Sequence, residues 1–463
     1  MYFEQFYLTC LAHASYMIGS EGEAAVIDPQ RDVDLYLEAA DEQGFKIRHI
    51  FETHLHADFV SGHKELAART GAKIYIGAQA HAGFPHTPLR DGFEVKIGSV
   101  RIRALETPGH TPESICLVIA DEEKSAEPWG VLTGDTLFIG DVGRPDLSPT
   151  HTPQQLAGLL YDSLHQKLLR LPDSTLVYPA HGAGSLCGRS MRAERSSTIG
   201  TERLTNYALQ IGSRDEFAQQ LTSNLPARPG YFLEDAEINR SGAAPLTDRP
   251  PLPAFSPIEL QTLLGQKANV VDVRPPEHFA AGHLPGSINI SLSGQFASWA
   301  GTLLGLGSKP VLVADTDAQI EEAHLRLARV GIEDVRGYLA GGVPAWQQSG
   351  LPLASTAQIS VQELSQKLCD GSVRVLDVRR DGEWQAGHIA QAQSRALDSF
   401  PQALPALDDG KPVAVHCKSG YRSMIACSLL ERAGYRNVIN LIGGFDAWHA
   451  AGLPEVVGHL AKA

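Results

Sequence analysis

Cysteine is scarce in this chain of 463 residues, and no two cysteines form a CxxC pair. The six cysteines lie far apart, at Cys10, Cys116, Cys187, Cys369, Cys417 and Cys427. Their low density excludes a disulfide scaffold and favours a reducing compartment. We therefore expect each cysteine to act alone, as a packing residue or as a thiol.

Long apolar runs and an excess of positive charge are also missing. No stretch approaches the ~20 apolar residues that a membrane span requires, and no basic segment precedes an apolar core at the N-terminus. The net charge of −14 argues against nucleic acid or an anionic membrane as the main partner. We expect a cytoplasmic protein that binds neither nucleic acid nor membrane and that forms a homo-oligomer, as most oligomeric proteins do.

An internal repeat is the strongest organising feature of the chain. Residues 310–352 match residues 412–454 without a gap, and residues 270–290 match residues 375–396. In each copy, short apolar runs alternate with helical patterns. This alternation predicts a parallel sheet with crossover helices.

The segment before the first repeat is rich in Pro, Gly and Ala and lacks periodicity, which predicts a linker at residues 241–255. Apolar strand-like runs and helical patterns also alternate before it. We therefore predict α/β structure throughout, with domains at residues 1–240, 256–353 and 357–458.

Four strand-like runs in the first domain lead directly into a potential metal ligand, at His54, His110, Asp135 and His181. Side chains on loops that follow strands converge at one rim of a sheet. The stretch "THLHADFVSGH" (53–63) adds His56 and Asp58. The pattern predicts a metal centre.

The motifs "THLHAD", "TPGHTPES", "TGDTLF" and "YPAHG" resemble, in this order, the ligand motifs of the metallo-β-lactamase fold. "GDTLFIGDVGRPDL" and "SSTIGTERLTN" are similar to the persulfide dioxygenase branch of that fold. The resemblance implies an αββα sandwich over residues 1–240 that oxidises glutathione persulfide or a similar thiol persulfide with dioxygen. It also implies one iron(II) per chain, bound by His54, His110 and Asp135.

The donor set suits this metal, because two His and one carboxylate leave open positions for non-haem iron(II) chemistry. Phe59 stands where binuclear zinc relatives usually have a further His, so we expect one metal. His56 is either a fourth ligand or a group that contacts a ligand. We expect Asp58 to orient a ligating His or a water, and His181 to contact a ligand or the substrate.

Other polar residues of the first domain have two interpretations. Arg144 is a candidate for binding a substrate carboxylate, or it forms a structural ion pair with Asp141 or Asp146. We expect His63 to be structural, and Cys116 and Cys187 to be packing residues. The remaining histidines without a motif are expected to be solvated or capping groups: His13, His81, His86 and His151.

A cysteine loop stands out in the second repeat, within "VAVHCKSGYRSMIACSLL" (413–430). Cys417 ends a strand-like run and is followed by a Ser-Gly loop and a helical pattern. Backbone N–H groups at such a helix start form an anion cradle. Together with Lys418 and Arg422, this environment is expected to favour the nucleophilic thiolate.

The motifs "DVRRDGEWQAGHI", "CKSGYRS" and "GGFDAWHAAGLP" resemble the rhodanese family. The resemblance implies that Cys417 carries sulfane sulfur as a persulfide, with Arg422 as a second catalytic residue. The resemblance also implies that the persulfide loop after Cys417 comprises Lys418, Ser419, Gly420, Tyr421 and Ser423. The C-x4-R spacing is one residue shorter than that of the related phosphatases, which favours sulfur over phosphate. We expect Asp377 and Arg379 to support this loop, and Cys369 and Cys427 to lie in the core.

The first repeat lacks this chemistry, because Asp315 stands in the place of Cys417 and Ile320 in the place of Arg422. We expect residues 256–353 to be inactive in sulfur transfer. They form a structural or docking module, or alternatively they retain a ligand-binding role.

These features predict an iron(II) persulfide dioxygenase that produces sulfite, fused to a sulfurtransferase that uses thiosulfate or sulfite. The direction of sulfur flow between the two sites is left open. One alternative is a two-zinc thioester hydrolase similar to glyoxalase II. Another is a non-catalytic adaptor that responds to sulfur compounds.

Overall fold

The computed structural model describes residues 1–223, 225, 227–407 and 410–458. It divides into two compact units. The first comprises Met1–Pro250 together with Ala328–Gly331, and the second contains the other described residues from Pro251 onward. No helix in the described ranges has the length and the apolar content that a bilayer crossing requires.

Two six-stranded sheets form the first unit. Neighbouring strands of the first sheet follow the chain order, and its strands are β1 (Tyr2–Leu8), β2 (His13–Ser20), β3 (Glu23–Ile27), β4 (Lys46–Glu52), β5 (Lys73–Gly77) and β6 (Thr87–Leu89). The strands from β3 to β6 are parallel. This sheet is accompanied by helices α1 (Asp34–Glu42) and α2 (His63–Thr70).

The second sheet has the order β12-β11-β10-β9-β8-β7. Its strands are β7 (Glu94–Ile97), β8 (Val100–Glu106), β9 (Ile115–Asp121), β10 (Gly130–Gly134), β11 (Leu176–Pro179) and β12 (Ser197–Thr198). Helices α3 (Pro153–Gln166), α4 (Ile199–Thr205) and α5 (Arg214–Thr222) accompany this sheet. Helix α6 (Phe232–Ser241) is instead hydrogen-bonded to loops of the first half, through Asn239 to His56 O and through Arg240 to Ala80 O. Helix α3 begins sharply because Thr152 and Gln155 form a capping box and Pro153 fits the first turn.

The two sheets pack face to face through one apolar core. Phe51 of the first sheet and Leu117 of the second belong to the same buried cluster. A second cluster joins the first sheet to α1 and α2, and a third joins the second sheet to α3 and α5. Burial of each large apolar side chain in these clusters adds roughly 1.5–3 kcal/mol to the free energy of unfolding. The result is a four-layer αββα sandwich, as the sequence predicts.

The second unit contains two parallel five-stranded sheets with the same topology. The first has the order β13-β17-β16-β14-β15, with strands β13 (Ala254–Phe255), β14 (Val270–Asp272), β15 (Ile288–Asn289), β16 (Val311–Val313) and β17 (Gly337–Leu339). The second has the order β18-β22-β21-β19-β20, with strands β18 (Ala357–Ile359), β19 (Arg374–Asp377), β20 (Ala392–Ser394), β21 (Val413–His416) and β22 (Val438–Leu441). The repeated order explains the repeat in the sequence.

Helices connect these strands in both repeats. Those of the first repeat are α7 (Pro257–Gly265), α8 (Pro276–Ala281), α9 (Phe296–Leu304), α10 (Asp317–Ala328) and α11 (Gly342–Gln348). Those of the second are α12 (Val361–Cys369), α13 (Asp381–Ala386), α14 (Tyr421–Arg432) and α15 (Gly444–Ala450). Short 3-10 turns occur at Ala78–Ala80, Leu168–Arg170, Tyr207–Gln210, Leu246–Asp248 and Leu397–Ser399.

The predicted α/β class and the repeat of parallel sheets are confirmed. One detail differs, since Ala254–Phe255 falls within the predicted linker but pairs with β17 as an edge strand. The backbone N–H groups of Tyr338 and Ala340 donate to Pro253 O and Phe255 O, both at 2.9 Å, and draw this segment into the sheet.

Candidate metal centre and cysteine loop

The candidate metal ligands lie on loops at one rim of the sandwich. His54 follows β4, His110 follows β8 and Asp135 directly follows β10. All three side chains are almost completely buried. Strands that end at the same rim therefore bring residues distant in the chain together, as the sequence predicts.

Three atoms of these residues converge. His54 Nε2 lies 3.8 Å from Asp135 Oδ2, and His110 Nε2 lies 3.4 Å from the same oxygen. None of the three atoms has a hydrogen-bond partner in the part of the chain that the structure describes. Buried polar atoms without a partner are costly, so their convergence fits a metal ion.

Hydrogen bonds on the far side of each imidazole fix its direction. His110 Nδ1 donates to the carbonyl oxygen of Arg144 at 2.9 Å. His54 Nδ1 lies 3.0 Å from Thr53 Oγ1, which in turn donates to Asp28 Oδ2 at 2.9 Å. Both imidazoles thus carry a proton on Nδ1 and present a bare Nε2 to the centre, as metal ligands do.

The protonation states also suit a metal. Burial lowers the pKa of His54 well below its usual value, and it lowers the pKa of His110 as well. Burial opposes ionisation of Asp135, but His181, His54 and His110 outweigh it and hold the pKa of that carboxyl well below its usual range. Neutral imidazoles and an ionised carboxylate are the forms that bind metal.

His181 lies between two carboxylates. Its Nδ1 is 2.7 Å from Asp135 Oδ1, and its Nε2 is 3.0 Å from Asp58 Oδ2. Burial opposes the charged form of His181, yet the two carboxylates raise its pKa well above the usual value. His181 thus contacts the candidate ligand Asp135 on one side and Asp58 on the other.

His56 belongs to sets of potential ligands other than His54, His110 and Asp135. Its Nε2 lies 3.2 Å from Asp28 Oδ1 and 3.6 Å from Glu52 Oε2. Burial disfavours the His56 imidazolium, but these carboxylates raise its pKa overall. The geometry favours the second sequence-based alternative, in which His56 supports the centre without being a fourth ligand.

Other buried groups also bring potential ligand atoms within 4.8 Å of one another. They are His56 with Asp58 and His181, Asp135 with His181 and Cys187, and Asp28 with Glu52 and His56. The first of these sets borders Phe59, whose ring centroid is 4.4 Å from that of His56. The side chain of Phe59, which cannot bind metal, therefore lies beside the set of His56, Asp58 and His181.

His13 was expected to be a solvated or capping group, and this prediction is wrong. It is completely buried, and its ring lies 4.1 Å from the ring of Phe59 and 5.5 Å from that of His181. An isolated β-bridge pairs His13 with His181 across the two sheets. No local motif reveals this contact, because it joins residues far apart in the chain.

Arg144 forms a structural ion pair with Asp146, which is the second of the two interpretations from the sequence. Its Nε and Nη2 donate to the two carboxylate oxygens of Asp146 at 2.7 and 2.9 Å, and Nη1 donates to Leu186 O at 3.2 Å. The guanidinium is buried in these contacts. It is therefore not available as the predicted site for a substrate carboxylate.

Asp141 fixes the loop that follows His181, a role that sequence reasoning missed. Its Oδ2 accepts hydrogen bonds from the backbone N–H groups of Arg189 and Ser190 at 2.5 and 2.7 Å, and its Oδ1 accepts from Tyr207 Oη at 2.9 Å. These bonds secure the loop that follows His181. The only available signal was the position of Asp141 in the "GDVGRPD" motif.

The predicted structural residues of this domain behave as expected. His63 is buried with Nδ1 3.1 Å from Glu52 Oε1. Burial raises the pKa of the Cys116 thiol to about 11 and that of Cys187 well above its usual value. Such thiols remain protonated and pack as small apolar groups.

The cysteine loop begins directly after β21. Cys417 is 1 % exposed, and Gly420 N–H donates to its Sγ at 3.1 Å. Ser423 Oγ lies 3.6 Å from the same sulfur. Gly420 has a φ of 112°, which residues with a side chain rarely adopt. The loop thus folds back so that a backbone N–H and a hydroxyl face the thiol.

The basic residues of the loop differ from expectation. The Arg422 guanidinium forms two hydrogen bonds of 2.7 Å with the Glu383 carboxylate, so its charge is largely neutralised. Lys418 and Ser419 are exposed. The N–H of Gly420 therefore contacts the sulfur more directly than either cation does.

Asp377 lies beside the start of the loop, because it pairs with His416 on the neighbouring strand. Arg379 Nη2 donates to Asp377 Oδ2 at 2.6 Å and to Gly387 O at 2.7 Å. Cys427 is fully buried, as predicted, but Cys369 is exposed, which contradicts its predicted core position. Cys369 is the last residue of α12 and lies about 100° around the helix from Leu368, which packs on the core.

The loop of the first repeat contains no thiol. Asp315 Oδ2 lies 2.8 Å from His278 Nδ1, and Asp315 N–H donates to Gln319 Oε1 at 2.9 Å. Ile320 is buried. The residue that corresponds to Cys417 in the sequence match is thus a carboxylate that contacts His278.

Comparison with known proteins assigns both parts of the chain. Residues 8–181 match the metallo-beta-lactamase superfamily, and residues 256–349 and 360–451 match the rhodanese-like domain. The mitochondrial persulfide dioxygenase of Mus musculus is 32% identical over 227 residues, which cover 46% of this chain and 77% of that protein. The chain belongs to the metallo-β-lactamase superfamily. The predicted fusion of this superfamily's domain with two rhodanese-like domains is confirmed.

Two further relatives are similar to this chain, one in its domain architecture and one in its first domain. A metallo-beta-lactamase structure from Staphylococcus aureus has 33% sequence identity and a TM-score of 0.66, with 73% of this chain and 98% of that chain covered. A hydroxyacylglutathione hydrolase from Rhodopseudomonas palustris is 31% identical over 222 residues, which cover 48% of this chain and 78% of that protein. The relatives therefore include both an oxidising and a hydrolytic enzyme.

Proposed function

We propose that the first domain is an iron(II)-dependent dioxygenase that converts a small thiol persulfide to sulfite. The observation that carries this proposal is the convergence of three unpartnered buried atoms, His54 Nε2, His110 Nε2 and Asp135 Oδ2. Two imidazoles and one carboxylate are the donor set of non-haem iron oxygenases. The similarity to persulfide dioxygenases supports the same substrate class.

The proposed reaction balances with water as the only further reactant. A thiol persulfide RSSH, dioxygen and water yield the thiol RSH, sulfite and two protons. The sulfur–sulfur bond breaks, the outer sulfur is oxidised and dioxygen is reduced. An iron(II) ion bound by His54, His110 and Asp135 would supply a site where the persulfide sulfur and dioxygen react.

The surrounding residues hold this centre in its reactive form. His181 bonds to Asp135 Oδ1, which leaves Oδ2 free for the metal. Thr53 and Asp28 fix the imidazole of His54. Because these groups are buried, their hydrogen bonds do not compete with bulk water and the ligand geometry is preorganised.

We also propose that the second repeat transfers sulfane sulfur through Cys417. The Cys417 thiolate attacks the outer sulfur of thiosulfate, the sulfur–sulfur bond of thiosulfate breaks, and sulfite leaves. A small thiol then takes the outer sulfur of the Cys417 persulfide and becomes RSSH, the substrate of the first domain. The Gly420 N–H, 3.1 Å from Sγ, stabilises the negative charge on sulfur.

Oxygen uptake tests the dioxygenase proposal. Iron(II)-loaded protein is given glutathione persulfide, and uptake of one oxygen per persulfide with formation of sulfite is expected. Asp135→Ala should abolish both, whereas Cys417→Ser should leave both unchanged. Other thiol persulfides, including that of coenzyme A, are tested in the same way. Failure of every persulfide with iron-loaded protein would refute the proposal.

Thioester hydrolysis is a second candidate, and the similarity to a hydroxyacylglutathione hydrolase favours it. It requires two zinc ions, and the His56, Asp58 and His181 set offers ligands for a second one. Metal analysis separates the two functions, because the dioxygenase predicts one iron and the hydrolase predicts two zincs per chain. Hydrolysis of an acylglutathione by the zinc-loaded protein would favour the hydrolase.

A further inference from the structure

Helix α14, which starts at the Cys417 loop, is bonded to the first repeat in its middle and at its end. The buried Ser428 Oγ accepts a hydrogen bond from the Asn289 N–H at 3.0 Å, on the open edge of strand β15. Four residues later, Arg432 Nη2 donates to Asn269 Oδ1 at 2.8 Å. These contacts hold the helix of the active repeat against the sheet of the inactive one.

A third contact lies at the start of the helix, within the cysteine loop itself. Tyr421 Oη donates to the carbonyl oxygen of Ser291 at 2.8 Å. The Tyr421 ring rests on Gly294, where an added Cβ would lie 2.6 Å from the ring. Burial raises the pKa of this phenol, so it remains a donor at every physiological pH.

Tyr421 is one peptide bond from the group that faces the reactive sulfur. Gly420 N–H donates to Cys417 Sγ, and Gly420 has a φ of 112°, which glycine adopts readily and residues with a side chain rarely do. A displacement of the Tyr421 ring that also moves its backbone would move Gly420, whose N–H contacts the sulfur. Tyr421 thus contacts the first repeat and directly follows the residue whose N–H faces the sulfur.

The corresponding residue of the first repeat behaves differently. Gln319 stands in the place of Tyr421, and its side chain turns back to accept the N–H of Asp315 within its own loop. The inactive loop is thus closed on itself. The active loop instead relies on Ser291 and Gly294 of its neighbour.

We propose that the first rhodanese-like repeat is a structural part of the sulfurtransferase site and fixes the Cys417 loop through Tyr421. Tyr421 is a positioning residue in this arrangement, and Gly294 is the surface that receives its ring. The proposal rests on the proposed sulfur transfer by Cys417. It explains why a repeat without a nucleophile accompanies the active one.

A double-mutant cycle between the two repeats tests this proposal. Gly294→Ala forces a methyl group against the Tyr421 ring, and Tyr421→Ala removes that ring. The full-length variants and the double variant are assayed for sulfur transfer from thiosulfate to glutathione. The Cys417 alkylation rate by iodoacetamide is followed in parallel by mass spectrometry.

We expect Gly294→Ala to lower kcat about tenfold and to change the Cys417 alkylation rate by a similar factor. Once Tyr421 is Ala, adding Gly294→Ala should have no further effect. Tyr421→Phe, which keeps the ring and loses the hydroxyl, should lie between wild type and Tyr421→Ala. Gly307→Ala is the matched control, because no atom lies within 4 Å of an added Cβ there.

Two results would overturn the positioning role. One is a wild-type kcat and alkylation rate in Gly294→Ala. The other is full additivity of the two substitutions, since independent sites add and coupled ones do not. If the wild type transfers no sulfur, the proposed activity fails, whereas the alkylation rates still decide whether the first repeat positions Cys417.

Discussion

The ring of Phe59 lies 4.1 Å from the ring of His13, and both side chains are completely buried. Phe59 is also 4.4 Å from His56 and 6.4 Å from His181. An apolar ring thus borders the second set of potential ligands. This arrangement favours a single metal at the other set.

Phe59→His should therefore raise the amount of bound zinc from one toward two per chain. The new imidazole adds a ligand beside Asp58 and His181, and zinc accepts such mixed His and Asp sets. Metal content after dialysis against zinc is the measurement. The Phe59→Leu variant adds no ligand and should still bind one zinc ion per chain. If Phe59→His also binds one zinc ion, the Phe59 ring does not limit metal binding at the second set.

Gly143→Ala should weaken metal binding although Gly143 is not a ligand. An added Cβ would lie 2.0 Å from Asp135 O and 2.8 Å from His110 Nδ1, so two ligands would have to move. Losses of roughly 10–100-fold in affinity are typical when groups that support ligands are disturbed. Competition with a chelator measures the metal affinity of the Gly143→Ala variant and of the wild type.

The control for this experiment is Gly212→Ala, where no atom lies within 4 Å of an added Cβ. It should bind metal like the wild type. Equal affinities for the Gly143 and Gly212 variants would contradict the described packing around the centre.

Arg422→Ala should slow sulfur transfer by Cys417 roughly tenfold, which corresponds to about 1.4 kcal/mol. Burial opposes ionisation of Glu383, but its two bonds with Arg422 keep the pKa of this carboxyl below its usual value. Without Arg422, an unpaired carboxylate remains near the loop and opposes the thiolate.

Glu383→Gln in the Arg422→Ala background removes that carboxylate and should recover part of the rate. Initial rates with thiosulfate and glutathione provide the measurement. No recovery in the double variant would indicate that Arg422 acts on the substrate directly and not by neutralising Glu383.

Glu431 is expected to make the stability of the second unit depend on pH. Burial raises the pKa of this carboxyl to about 7, although Thr356 Oγ1 donates to it at 3.1 Å and His283 Nε2 lies 3.6 Å away. The folded protein binds the Glu431 proton more tightly than the unfolded chain does, because the usual pKa is 4.5. Protonated Glu431 therefore makes its full contribution to the free energy of unfolding below pH 4.5. This contribution is lost as the pH rises through about 7.

Thermal unfolding of wild type and Glu431→Gln between pH 5 and pH 8 measures this effect. The amide imitates the protonated carboxyl at every pH. The stability of the variant relative to the wild type should therefore increase from pH 5 up to about pH 7 and stay constant from there to pH 8. A constant difference over this range would refute the predicted titration.

Much of this molecule was predictable from local patterns. His54, His110 and Asp135 each follow a strand, and strand ends that share a rim bring such residues together. Cys417 was predictable because a strand, a tight loop and a helix follow one another within a few residues. Both sites depend on backbone geometry that short segments encode.

The tertiary structure decided which side chains surround these groups. His13 beside Phe59, Glu383 on Arg422 and Tyr421 on Gly294 are contacts between residues distant in the chain. Their existence depends on the packing of whole sheets and helices, which no local periodicity specifies. The sequence by itself therefore determined the candidate site residues and the order of the domains, whereas long-range packing determined how those residues are oriented and paired.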